Sequence, residues 1–195
     1  MDEAVVAKGR RSRKRPGGDR RSRERRGPTQ LDDLLYDAFY SAAIGGSVLG
    51  LFFMLVDAVT GEVFQTPSLI GSVLFLGVAP DAVTEVRLDM VAYFTMVHMA
   101  VFGVLGILLA VLVYEAELHS QHPARVMALL FLIIEGGFLV AGNMFMPGVV
   151  DAIGFGRILV GNILTAGAMA LFMLKSHNPG AWDRLIQGRP INPIY

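Results

Sequence analysis

Four stretches of this chain are long, apolar and almost free of charge, running roughly Tyr36 to Val59, Met90 to Tyr114, Ala124 to Met146 and Gly154 to Leu174. Each reaches the ~20 residues a helix needs to cross the ~30 Å hydrocarbon core of a bilayer. Inside lipid a backbone finds no water to bond, so helix is the state open to each stretch. A soluble fold would need polar surface to cover four such helices. The chain does not have it: 53% of its 195 residues are hydrophobic, and its mean hydropathy is +0.52. The sequence predicts an all-α protein, a transmembrane four-helix bundle over residues 31–178.

The formal net charge of zero hides a segregation, because eleven of the 17 lysines and arginines fall between Lys8 and Arg26. Residues 1–30, with RRSRKRPGGDRRSRERRGP at their centre, have too little apolar surface to fold alone and read as a disordered basic cytoplasmic tail. The expected partner of this tail is the anionic lipid headgroup, at about 1 kcal/mol per basic residue near the surface. An acidic protein is the alternative. Nucleic acid is the weakest of the three readings, since no aromatic is interleaved for base stacking. A secretory signal is disfavoured by the long basic stretch, the full-length apolar span and the lack of a small-x-small cleavage site after Val59.

Arg125, Lys175, Arg184 and Arg189 lie on the same side as the tail, with only Arg87 and Arg157 opposite. Asp57, Glu62, Asp81, Glu85, Asp89 and Asp151 concentrate on that opposite side. The positive-inside rule then places both termini, including a C-terminal tail over residues 179–195, in the cytoplasm. The expected location is a bacterial cytoplasmic (inner) membrane, crossed several times. The connection from Glu115 to His122 reads as a tight hairpin, Pro123 suits the first turn of the third helix, and Pro147 and Gly148 break the chain before the fourth. The first connection contains TPSLIGSVLFLG (Thr66 to Gly77), a helix-start signal followed by an apolar run too short to span. It predicts an interfacial helix over about residues 67–77 on the outer side.

Small residues mark the expected helix contacts, because they let backbones approach where lipid supplies no hydrophobic drive. Ala38, Ala42, Gly46 and Gly50 recur every fourth residue on the first span, with Gly103, Gly106 and Ala110 on the second. Gly161 and Ala168 are seven apart on the fourth. On the third, Ala128, Glu135 and Gly142 are successive sevens and share one face, which turns Glu135 toward the bundle.

An ionisable residue at a helix centre costs about 2.5–3.5 kcal/mol on insertion scales, so Glu135 needs a partner. At 1.5 Å per residue, Glu135 lies roughly 16 Å from the outer end of its helix, and His98 and Asn162 each about 12 Å. Asn143 is nearer the outer surface, and Thr95 is one turn outward of His98. His98, Glu135 and Asn162 therefore converge within one helical turn if their rotations agree. Three roles fit such a cluster: interhelical hydrogen bonding that fixes register, a proton or ion relay, and a haem or tetrapyrrole site with His98 as axial ligand. The first is favoured, and a cofactor is not required.

No metal site is expected. The chain has no cysteine. Glu115, His119 and His122 fall on one helical face, but the Glu-x-x-His pair of di-iron bundles is absent. The ten methionines suit core packing better than copper(I). Nothing matches a P-loop, a zincin helix, a serine nucleophile elbow or a dinucleotide fingerprint.

TPSLIGSVLFLG, YFTMVHMAVFGVLG in the second span, IIEGGF in the third and VGNILTAGAMALF in the fourth together resemble small four-span bacterial integral membrane proteins, a family without assigned activity. The likeness runs from Tyr36 to Pro179 and implies fold and location only. With no catalytic constellation, the expected function is non-enzymatic: a structural or accessory subunit of a membrane assembly or homo-oligomer, its partners other membrane subunits or itself. Proton-coupled or ion and small-solute transport through Glu135, His98 and Asn162 is the alternative, and haem binding through His98 the second.

Overall fold

A computed structural model describes residues 30–118 and 123–187, and among these every regular element is helical. The basic tail up to residue 29, the hairpin residues 119–122 and residues 188–195 lie outside the described residues. In chain order the helices are α1 (Gln30–Thr60), α2 (Gln65–Leu76), a short 3-10 turn (Pro80–Ala82), α3 (Leu88–Leu118), α4 (Pro123–Phe145), α5 (Val149–Ile153), α6 (Phe155–His177) and α7 (Pro179–Ile186). Helices α1, α3, α4 and α6 are each long and apolar enough to cross a membrane. They carry exposed large apolar side chains such as Phe39, Leu55, Val104, Leu132 and Val140, as a lipid-facing surface requires. This is a membrane protein.

The breaks between helices follow from backbone chemistry. Gly61, Gly77, Gly148 and Gly154 all take positive φ, the left-handed conformation that glycine adopts without steric cost. Gly77 closes α2 by donating its N–H to the Val73 carbonyl at 3.1 Å. Phe64, at φ 72°, is the one non-glycine in that region among the described residues. It starts α2 from a strained turn, held by the bonds from Glu62 N to Asp57 O and from Ser68 N to Phe64 O.

Helix α1 is central, packing most extensively on α3 and next on α6, while α4 leans mainly on α6. Two apolar cores result. One lies within the four long helices and includes Ala38, Phe102, Leu109, Leu130, Ile134, Met169 and Met173. The other lies at the end opposite the termini, where Leu69, Ile70 and Val73 of α2 meet Met146, Val149, Ile153 and Ile158. Helix α2 is thus a lid on the bundle mouth, buried through its middle with only Phe75 and Leu76 emerging. Gly71 makes the lid possible, since a Cβ there would strike the Met90 carbonyl of α3. Two helices fall where the sequence reading had none: the single turn α5, and α7 at the start of what was read as the C-terminal tail. In α7, Trp182 lies under the Lys175 ammonium at 5.9 Å.

Candidate functional site

Glu135 and Asn162 meet. The Asn162 side-chain amide donates to Glu135 Oε2 at 2.7 Å, and the two residues are 8% and 2% exposed. They sit where the two cores join, between Ile134 and Ala166 on one side and Phe138 and Ile158 on the other. Thr165, fully buried beside them, turns its hydroxyl onto the Gly161 carbonyl of its own helix at 2.8 Å. The second carboxyl oxygen, Glu135 Oε1, is buried without a hydrogen-bond partner.

His98 does not join this pair. Its Nε2 lies 3.0 Å from the carbonyl oxygen of Gly46, tying α3 to α1, and its ring packs between Phe94 and Phe102 at 5.6 and 4.8 Å. The three-residue convergence expected from depth alone becomes two separate ties, because helix rotation turns His98 toward α1. These surroundings do not fit a haem ligand: Nε2 is spent on the Gly46 carbonyl, and α1 and two phenyl rings occupy the space beside it. Thr95 and Asn143 are exposed, and each bonds the carbonyl four residues back on its own helix, Val91 and Leu139.

The small residues divide in the same way. Ala38, Ala42 and Gly106 form a close approach of α1 to α3, where a Cβ on Gly106 would meet the Ala38 carbonyl and Ala42 Cβ. Gly46 extends this seam against Met99 and His98. Gly142 faces Val150 of α5. Gly50 and Gly103, by contrast, have open space where a Cβ would stand. Two glycines the stripe did not include also make close seams: Gly45 against Phe102 and Met169, and Gly161 against Leu49 and Phe52.

Sequence reasoning missed two polar ties. Asp37 of α1 is 5% exposed, and both its carboxylate oxygens are used. His177 Nε2 approaches Oδ2 at 2.7 Å, and Ser176 donates to Oδ1 at 3.1 Å. The signal was present in LLYDAFYSAA, an acid inside an apolar stretch beside the Ala38–Ala42 stripe. It went unread because the fourth span was ended at Leu174, and α6 runs one turn further to carry Ser176 and His177. At the other end, buried Asp57 accepts from the Thr66 backbone N–H at 2.7 Å and from its hydroxyl at 2.6 Å. A carboxylate on the first N–H groups of a helix is favoured by the orphan donors and by the helix dipole. Asp57 therefore caps α2 from the end of α1.

Two recesses open at the rims of the bundle. One, of about 440 Å³, is lined by Asp33, Tyr36, Asp37, Ser176 and His177 on the side of the termini. The other, of about 220 Å³, lies on the far side between α2 and the segment leading into α3. At that second rim Arg87 forms a two-pronged pair with Asp89, at 3.2 Å from Nε and 2.6 Å from Nη2. The hydrogen bond and charge of Asp89 raise the Arg87 pKa above its ordinary value. Glu115 is exposed, and its suggested metal partners His119 and His122 lie outside the described residues. Among the described residues no group of three or more His, Cys, Asp or Glu is arranged to hold a metal ion.

Comparison with family models, with characterised proteins and with solved structures finds no match for this chain.

Proposed function

We propose that this protein is a non-enzymatic structural or accessory subunit, working within a larger membrane assembly or a homo-oligomer. The observation that carries the reading is how the polar side chains inside the bundle are used. Glu135 with Asn162 ties α4 to α6, His98 with Gly46 ties α3 to α1, and Asp37 with Ser176 and His177 ties α1 to α6. Each tie joins a different helix pair or a different depth, so they set helix register and do not line a common path. The exposed glycines Gly50, Gly136 and Gly137 on lipid-facing sides supply surface on which another helix can approach closely.

The Lys and Arg asymmetry supports a bacterial inner-membrane location with both termini cytoplasmic, and the basic residues between Lys8 and Arg26 suit anionic headgroups. Crosslinking in native membranes followed by mass analysis tests the assembly role. Recovery of a defined partner, or of a second copy, is the expected result. A strictly monomeric protein in lipid and in mild detergent overturns it.

One observation favours a second reading, proton- or ion-coupled transport: the unpartnered Glu135 Oε1. Under it, Glu135→Gln abolishes a coupled flux in liposomes while the fold survives, and a wild-type protein that carries no flux removes the reading.

A further inference from the structure

The recess of about 220 Å³ on the side opposite the termini is built from two elements held in fixed relation. Its floor is α2. Its wall is the segment from Val78 to Arg87, which arcs back over the helix after the left-handed turn at Gly77. Two anchors hold the arc in place. The Arg87 backbone N–H donates to the fully buried Ser68 hydroxyl at 2.8 Å, and Pro80 rests against Gly148 beside α5. The space between is therefore a feature of the fold.

The lining combines three kinds of chemistry. Leu76, Val78, Ala82 and Val83 are apolar, Thr84 brings a hydroxyl, and Glu85 and Arg87 bring opposite charges. Ser72 is 2% exposed and its hydroxyl oxygen is closed off from solvent, so a ligand meets the polar side of the recess through Thr84, Glu85 and Arg87. Arg87 spends one N–H of Nε and one of Nη2 on Asp89. A guanidinium has five N–H donors in a fixed fork, so three remain, and Asp89 fixes their direction. Glu85 makes no hydrogen bond or ion pair among the described residues. The volume of about 220 Å³ is below the ~300 Å³ at which drug-sized pockets begin, which suits a headgroup-sized molecule.

From this lining we infer that the recess is a binding site for a small zwitterion, its ammonium held by Glu85 with the Thr84 hydroxyl and its anion by Arg87. Two sources supply such a molecule: the headgroup of an ethanolamine phospholipid, or a free solute of the same chemistry. The recess lies beside lipid-exposed surface. Leu76 is both part of its lining and 45% exposed, and the next residue back, Phe75, packs against Tyr93 at 5.6 Å with both rings about half exposed. A headgroup reaches the recess from this side while its chains stay in the membrane. The site is independent of the assembly role proposed above.

The test uses the full-length protein in nanodiscs of phosphatidylglycerol containing either phosphatidylethanolamine or phosphatidylcholine, with lipid retention read by native mass spectrometry. Two further arms titrate soluble phosphoethanolamine into phosphatidylglycerol-only discs and into the phosphatidylethanolamine discs. The expected result is retention of phosphatidylethanolamine over phosphatidylcholine, competed by phosphoethanolamine. Binding of the soluble compound without lipid preference keeps the site and assigns it to a free solute. Glu85→Gln and Arg87→Gln each weaken binding by about tenfold or more, and Thr84→Ala by a smaller factor. Both charged side chains are exposed, so these variants fold, which unchanged thermal unfolding confirms. Equal retention of the two lipids with no uptake of phosphoethanolamine overturns the inference, as does undiminished binding by Glu85→Gln.

Discussion

The α1–α3 seam and the α4–α6 seam hold the same kind of bundle together by different means. Along α1 and α3 the backbones themselves approach, because Ala38, Ala42, Gly46 and Gly106 leave room for it, and one imidazole-to-carbonyl contact from His98 marks the register. Along α4 the glycines do not serve the seam with α6: Gly136 and Gly137 face open space and Gly142 meets α5, while a carboxyl–amide bond joins the helix to α6 at the junction of the two cores. Small residues gain stability only where a second backbone stands opposite. Where none does, a polar pair must specify the contact, since lipid tails are as apolar as leucine.

The largest effect is expected where that contrast is sharpest. Gly106→Leu drives a side chain into the Ala38 carbonyl and Ala42, and a backbone cannot rotate aside as a side chain can. Overpacking typically costs 1–3 kcal/mol and sometimes more, so we expect about 3 kcal/mol, read as a large fall in thermal unfolding temperature in detergent or as failure to accumulate. Gly136→Leu adds the same atoms to open space and should cost nothing, gaining up to about 1 kcal/mol from helix propensity. Equal losses in the two variants would erase the distinction between the seams.

A second variant asks whether the termini side depends on polarity as α4 does. Asp37→Ala removes a buried carboxylate that takes both Ser176 and His177. Breaking a buried pair costs about 3–5 kcal/mol. The His177 side chain is 26% exposed and regains water, so about 2 kcal/mol is expected. Asp37→Asn keeps an acceptor for Ser176 and should recover part of the loss. If Asp37→Ala unfolds at the wild-type temperature, the tie between α1 and the end of α6 is only decorative.

The fold was legible from the sequence because it depends on a one-dimensional quantity. Apolar run length against bilayer thickness is enough to find four spanning helices and the short one between the first two. The site was legible only in part, because it depends on rotation about each helix axis. Depth placed His98, Glu135 and Asn162 at similar levels, but depth carries no azimuth, and His98 faces α1. The seven-residue spacing around Glu135 did contain azimuth, which is why its inward direction could be read. Asp57 was counted only as an outer-side acid, since its target, the start of α2, is set by the tight turn through Gly61 and Phe64. Gly50 continues the four-residue stripe along α1, and a Cβ there would still meet open space, because spacing along one helix carries no information on whether a neighbour stands opposite.

A double-mutant cycle on Glu135 and Asn162 measures the polar contact directly. Interhelical hydrogen bonds in membrane proteins average about 0.6 kcal/mol and reach about 1.7. With the Glu135 and Asn162 side chains almost fully enclosed, we expect a coupling of about 1 kcal/mol between Glu135→Ala and Asn162→Ala in detergent unfolding. The same cycle between Glu135 and His98 should give additivity within about 0.5 kcal/mol, as the two residues serve different helix pairs. Strong coupling there would reinstate the three-residue cluster.

The smallest effect bears on what lies outside the bundle. Gly50→Ala and Gly103→Ala place a methyl group in open space, and alanine is favoured over glycine within a helix by up to about 1 kcal/mol. If both faces meet only lipid, each variant should unfold slightly later than wild type, by a few tenths of a kcal/mol to about 1. If a second helix closes on either face in the assembled state, the monomer in detergent still gains that stability while the yield of crosslinked assembly in native membranes falls. Comparing the two measurements on one variant thus distinguishes a lipid-facing glycine from one reserved for a partner, and Gly50, which continues the stripe past its internal contacts, is the position at which the two should part.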